Sequence, residues 1–156
     1  MRTLKYFLAY AAKYTAIVHH IYFIGAFLQA KVKNRVFVKF NIRYTDYFRE
    51  YEKYFGRALI LLKSMYGMTN YGKLFADELT QWLIEAGFIQ SQCQMSIYYK
   101  YAPDGSKIVV LSYVDNFFYW YANKDLGKWI VDTLGKCFVC SLHEDFEIFL
   151  SRYSQT

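Results

Sequence analysis

The sequence predicts an α+β domain, an antiparallel sheet with helices on one face, and three stretches carry that expectation. At residues 107–121, KIVVLSYVDNFFYWY sets two strand-like runs, 107–114 and 117–121, around one short polar break, Asp115-Asn116, which reads as a hairpin turn. Just ahead of it, Pro103-Asp104-Gly105 is a tight turn: Pro presets φ and Gly takes the positive φ, so the flanking strands pair antiparallel. At residues 73–86, KLFADELTQWLIEA has helical spacing, with Leu74, Phe75, Leu79, Trp82, Leu83 and Ala86 on one stripe and Gly87 as the stop.

Taken in order, residues 2–14 predict a helix, since Leu4, Phe7, Leu8, Ala11 and Ala12 recur at three-four spacing. Residues 16–23, AIVHHIYF, turn strand-like; Gly25-Ala26 breaks that run, and residues 27–30 make a helical turn. RVFVKF at 35–40 alternates as a half-exposed strand does, and RALILLK at 57–63 is another apolar strand. Between them, residues 41–56 hold no period and read as loop and helical turns, and residues 65–72, MYGMTNYG, are a glycine-punctuated turn. Residues 94–101 are a strand, residues 123–134 a helix capped by Asn123 and stopped by Gly135, and residues 137–141 a last strand. No repeat, low-complexity run or linker divides the 156 residues, so the expectation is a single domain over 1–156.

The chain carries 19 Lys+Arg against 13 Asp+Glu, a net charge of +6, which suits an anionic partner such as nucleic acid without proving one. With 17 Tyr and 14 Phe, more rings are present than a domain of this size buries. Exposed rings either stack on bases or mark a surface that packs against another domain. No run of about twenty apolar residues exists, so no membrane span is expected. The N-terminal fourteen residues fit an amphipathic helix better than a signal peptide. Three cysteines without a disulfide framework point to a reducing compartment, cytoplasm or nucleus.

Chemistry-bearing candidates are few. Cys137, Cys140 and His143 form a CxxC followed by a His, three ligands where structural zinc takes four; Cys93, Glu144 or Asp145 would have to complete the set, and inert thiols are the alternative. His19 and His20 are neighbours in a strand, so their rings face opposite sides and cannot share a metal. Phosphate-binding glycine loops and nucleophile elbows are absent. There remains Asp115, a carboxylate at a hairpin tip, which is either a turn device or a metal ligand.

Several stretches in fixed order resemble the reverse transcriptase domain of Ty/copia-type LTR retrotransposons. They are Arg2-Thr3-Leu4, the run Tyr22-Phe23-Ile24-Gly25-Ala26-Phe27-Leu28-Gln29, and the run Leu62-Lys63-Ser64-Met65-Tyr66-Gly67-Met68. Gly72-Lys73-Leu74-Phe75, Gly87-Phe88 with Ser96-Ile97-Tyr98, and Tyr113-Val114-Asp115-Asn116 continue the series, which spans residues 2–136. The resemblance implies a polymerase palm-like fold with part of the fingers, the thumb and RNase H lying outside the chain. It implies RNA-directed DNA polymerisation on an RNA template and DNA primer, with nucleotide triphosphates as substrate and Mg²⁺ as cofactor.

By resemblance, Tyr22, Asp115 and Asn116 stand at the family's catalytic positions, where it has three Asp. Asp115 alone keeps the carboxylate and is the metal ligand the resemblance leaves. Phe27 matches the aromatic under the incoming sugar, Tyr66 and Gly67 a segment near nucleotide and template, and Lys73 a cation beside them. Gly72 replaces the family's Pro, and Gln94 stands where an Asp is frequent. A phenol with a reference pKa of about 10 stays protonated at neutral pH, and an amide brings no charge. The expectation is therefore a reverse transcriptase homologue that does not polymerise. The alternatives are a non-catalytic nucleic-acid-binding remnant and a relic without function.

Overall fold

A computed structural model of the chain describes residues 2–39 and 49–143. Its elements are α1 (Arg2–Lys13), β1 (His19–Phe23), α2 (Ala26–Gln29), β2 (Phe37–Lys39), a 3₁₀ helix (Arg49–Tyr54), β3 (Ala58–Ile60), α3 (Tyr71–Glu85), β4 (Ile89–Gln90), β5 (Ile97–Tyr101), β6 (Lys107–Tyr113), β7 (Asn116–Tyr121), α4 (Lys124–Cys137) and β8 (Cys140–His143). Two compact units result: Met1–Ala26 with Ala76–Thr156, and Phe27–Phe75.

In the first unit a six-stranded sheet runs in the order β4-β5-β6-β7-β1-β8, antiparallel throughout. This is the α+β arrangement that the hairpins predict. Strand alternation divides the rings between two faces. On one face Val109, Leu111, Phe118 and Trp120 form a buried cluster with Phe7 and Ala11 of α1, because the three-four spacing of that helix turns both toward the sheet. On the other face Phe23 meets Phe117 and Phe138, Trp82 of α3 meets Phe138, and Lys100 lies over Trp129 of α4. Helices α3 and α4 cover this face, and α1 covers the opposite one.

Local chemistry explains the ends of most elements. Gly87, at φ 85, stops α3, and Gly105, at φ 80, closes the β5–β6 turn, where Ser106 N donates to Asp104 Oδ1 at 2.9 Å. The Asn123 side chain caps α4 by accepting from Asp125 N at 2.9 Å. The strand expected from residue 16 begins instead at His19. Thr15, at φ 53, ends α1, and Ala16 and Val18 pack against the α1 cluster rather than pairing.

Other expectations need correcting. Gly135 does not stop α4, which runs on to Cys137 with Phe138 as its extended C-cap, since burial of Leu134 outweighs the roughly 1 kcal/mol cost of a helical glycine. The last strand is therefore β8, and Cys137 and Cys140 lie in different elements. The 94–101 strand shortens to β5, preceded by the two-residue β4, too short to show a period in the sequence. The hairpin turn sits one residue early. Val114 and Asp115 form it, while Asn116 belongs to β7 and pairs with Tyr113.

In the second unit β2 pairs with β3, Phe37 opposite Ile60 and Lys39 opposite Ala58. Residues 61–63, expected to extend the strand, leave it: Leu61 N donates to Val36 O at 2.9 Å, Leu62 O accepts from Val32 N at 3.1 Å, and Lys63 bridges to Lys31. Phe40, residues 41–48 and the tail from residue 144, including Glu144 and Asp145, lie outside the described residues.

Candidate active site at the hairpin tip

The tip between β6 and β7 is a two-residue turn of which only Val114 has positive φ, 58°. That pattern, with the following residue at negative φ, is the type II′ hairpin turn, which ordinarily takes Gly at this place. A β-branched residue there stores about 1–3 kcal/mol of strain, held by the ladder on both sides. The ladder is well anchored: Tyr113 pairs with Asn116 and Ser112 with Phe117, which is fully buried. Asp115 is thereby fixed at the turn, half-buried, at the end of the central hairpin.

The neighbouring strand brings the other two sequence-predicted positions to the same place. In the β1–β7 register, Tyr22 is the direct partner of Asn116, and Phe23 N donates to the Asp115 carbonyl at 2.9 Å. Residues more than ninety positions apart in the chain thus converge on one corner of the sheet, as the resemblance implies. Tyr22 keeps 36% of its surface exposed there.

A side-chain relay runs through the corner. Asn116 Nδ2 donates to Asp115 Oδ1 at 2.7 Å, and Asn116 Oδ1 lies 2.9 Å from His20 Nε2. An amide oxygen only accepts, so the His20 ring carries its proton on Nε2 in this arrangement. His20 is buried and stacks on Phe118, with centroids 4.8 Å apart, which holds the ring in place. Sequence reasoning set His20 aside because it cannot share a metal with His19. The available signal was its i, i+2 spacing from Tyr22, which puts both side chains on one face of β1.

The donor set at the tip is one carboxylate, one amide and one phenol. Among the described residues no group of three His, Cys, Asp or Glu side chains is placed to hold a metal ion. Cys137 is exposed at the end of α4, and burial pushes the Cys140 thiol up, away from the thiolate that zinc requires.

The sequence-predicted nucleotide residues Phe27, Tyr66, Gly67 and Lys73 belong to the second unit. There the Phe27 ring meets Tyr71 edge-on at 4.6 Å and Tyr66 at 6.1 Å, and Tyr66 and Tyr71 are 6.2 Å apart. The buried Ser64 hydroxyl donates to the Phe27 carbonyl, and Ser64 N donates to Ala30 O at 2.8 Å. Gly67, at φ 93, supplies a backbone turn that side chains resist. A Cβ on Gly72 would stand 3.6 Å from the Phe27 ring, ordinary contact, so no clash enforces glycine there. Lys73 is exposed in the first turn of α3. Ser64 and Tyr71 join this cluster without a sequence signal beyond the turn itself.

Residues 1–151 match the family model for reverse transcriptase (RNA-dependent DNA polymerase). That family generally uses divalent metal ions and binds nucleic acid. Neither a curated protein nor a solved structure matches the chain. In the described residues no helix is long and apolar enough to cross a membrane. The match takes in almost the whole sequence and includes the strands that meet at the tip, and on that ground the chain belongs to the reverse transcriptase (RNA-dependent DNA polymerase) family.

Proposed function

We propose that this is a Ty/copia-type, retrotransposon-derived reverse transcriptase domain, a partial palm and fingers, that has lost metal-dependent nucleotidyl transfer. The observation that carries the reading is the pairing of Tyr22 with Asn116 beside Asp115. The polymerase chemistry needs two Mg²⁺ ions about 4 Å apart, one activating the primer 3′ oxygen and one stabilising the leaving pyrophosphate. Magnesium is a hard cation that takes charged oxygen ligands at short distance. Asp115 supplies one carboxylate, one of whose oxygens already accepts from Asn116. Tyr22 supplies a neutral phenol. Two divalent cations repel strongly at this separation, and one anionic side chain does not offset that repulsion. The residues at the tip do not fit the two-ion site.

The amide of Asn116 does something a carboxylate in its place cannot: it donates to Asp115 and accepts from His20 together. A corner that otherwise holds adjacent negative charges carries a single one here, and its polar groups satisfy one another as a structural joint. The experiment is primer extension on an RNA template with a DNA primer, in Mg²⁺ and separately in Mn²⁺. The expected outcome is no template-dependent incorporation of nucleotide triphosphate. Incorporation that disappears in Asp115→Ala would overturn the loss of activity. Tyr22→Asp combined with Asn116→Asp restores the carboxylates, and its expected gain is divalent-ion binding, read by calorimetry.

A second reading, a non-catalytic nucleic-acid-binding role in cytoplasm or nucleus, is favoured by the net charge of +6. Its mark is affinity for an oligonucleotide that falls steeply with salt; absence of binding at low salt excludes it.

A further inference from the structure

At the other end of β6 from the hairpin tip, roughly 20 Å along the strand, the first unit contains a half-open cavity of about 490 Å³. Its floor is the α1 face of β5 and β6, its wall is α1, and the segment ahead of β5 closes one end. Tyr6, Tyr10, Tyr99 and Tyr101 line it with rings, and the Tyr99 and Tyr101 rings meet edge-on at 5.9 Å. Lys107 lies among them. Its Nζ donates to the Tyr10 hydroxyl at 2.9 Å and sits 3.9 Å from the Tyr14 ring centroid, 4.8 Å from that of Tyr10 and 5.4 Å from that of Trp120. Burial works against its charge, but the Tyr10 and Tyr14 hydroxyls more than offset it, so the ammonium stays charged.

Among the described residues this cation has rings and phenols around it and no carboxylate partner, and no described Asp or Glu lines the cavity. An ammonium has three N–H donors, so an incoming anion can take one that the phenols leave. The volume falls within the ~300–1,000 Å³ typical of small-ligand sites. Rings that stack, hydroxyls that bond polar edges and one unpaired point charge together select a planar aromatic group carrying an anion.

The geometry points to a binding site for one nucleotide unit in this cavity, its base among the tyrosine rings and its phosphate on Lys107. The site is separate from the hairpin tip and stands whether or not the tip catalyses. The unit comes either from a free mononucleotide or from a single strand, which offers the same base and phosphate.

Cys93 is exposed and lines the cavity, which gives a direct reporter. In the full chain carrying Cys137→Ser and Cys140→Ser, Cys93 is the last of the three thiols, and its rate of alkylation by N-ethylmaleimide, a neutral reagent, is followed in the presence of a metal chelator. Thymidine monophosphate at about ten times its Kd is expected to slow alkylation about tenfold, as mass action requires. Equal protection by the monophosphate and by a short oligothymidylate identifies a free-nucleotide site; protection by the oligonucleotide alone identifies a strand. Lys107→Met is expected to abolish protection by the monophosphate, and Lys107→Arg to retain it. The exposed wall variant Tyr6→Ala, which leaves the core intact, is expected to weaken it. Unchanged alkylation with both probes at millimolar concentration overturns the site, as does protection that survives Lys107→Met. Since the assay contains neither primer nor metal, polymerase activity at the tip does not alter its outcome.

Discussion

The two units hold their functional-position residues by different means. In the first, Tyr22, Asp115 and Asn116 hang from a sheet whose centre is almost sealed: Ile21, Phe23, Ile108, Phe117 and Trp120 each keep 1% or less of their surface. In the second, Phe27, Tyr66 and Tyr71 hold one another by ring contacts, and the local sheet is two strands of three residues. Its paired Phe37 and Ile60 stay 58% and 54% exposed. A residue placed by a buried ladder is located by the whole core. One placed by neighbours in a turn depends on a few contacts. Substitutions at family positions therefore carry different structural consequences in the two units.

The sharpest way to break this comparison is to truncate one residue in each. Phe117→Ala empties a fully buried site in the hairpin that carries Asp115, and is expected to lower unfolding free energy by about 3–5 kcal/mol in a denaturant titration. Phe37→Ser removes a ring that is mostly in water, with an expected effect within about 0.5 kcal/mol. Equal costs would mean that Phe37 is covered and that the contrast between the units is false.

The same contrast decides what could be read from the sequence. Most elements of the first unit were legible because they have a period long enough to see or a chemical stop: the α1 stripe, the α3 stripe ended by Gly87, the Asn123 cap, and the turn at Gly105. The second unit was less so. RVFVKF and RALILLK gave both strands but not their bounds, since each keeps only three paired residues and half-exposed apolar positions do not mark the ends. The hairpin turn was misplaced by one residue for another reason. Asp and Asn favour turns, but Asn116 is drawn into β7, where it pairs with Tyr113 on one side and with Tyr22 of β1 on the other. The meeting of Tyr22 with Asn116 followed from family resemblance alone, and the His20 relay and the Lys107 cavity join residues too far apart in sequence for any pattern to show them.

A second test stays inside the first unit and asks how tight its packing is. A Cβ on Gly127 of α4 would fall within the Tyr121 ring, so the ring must move or the helix must shift. Gly127→Ala is expected to cost about 1–3 kcal/mol despite the better helix propensity of alanine. Gly135, on the same helix, has nothing within 4 Å of such a Cβ. Gly135→Ala is expected to stabilise by about 0.5–1 kcal/mol. Thermal unfolding of the two variants side by side separates close approach from propensity. If both stabilise, Tyr121 is not held against the helix.

A finer test concerns the tip itself. Val114 takes φ 58 in a turn that Gly adopts freely, and its side chain is mostly exposed, so no packing repays the strain. Val114→Gly relieves that strain but gives the unfolded chain more freedom, and the two changes partly cancel. The expected net gain is about 1 kcal/mol or less, with the strand register unchanged because the Tyr113–Asn116 and Tyr22–Asn116 pairs do not involve the Val114 side chain. Amide hydrogen exchange at Phe23, whose N–H bonds the Asp115 carbonyl, reads the result at the corner. Slower exchange in the glycine variant shows that the turn was strained and the sheet was holding it. Faster exchange shows instead that valine stiffens the tip, and that the position of Asp115 depends on the turn residue more than on the ladder behind it.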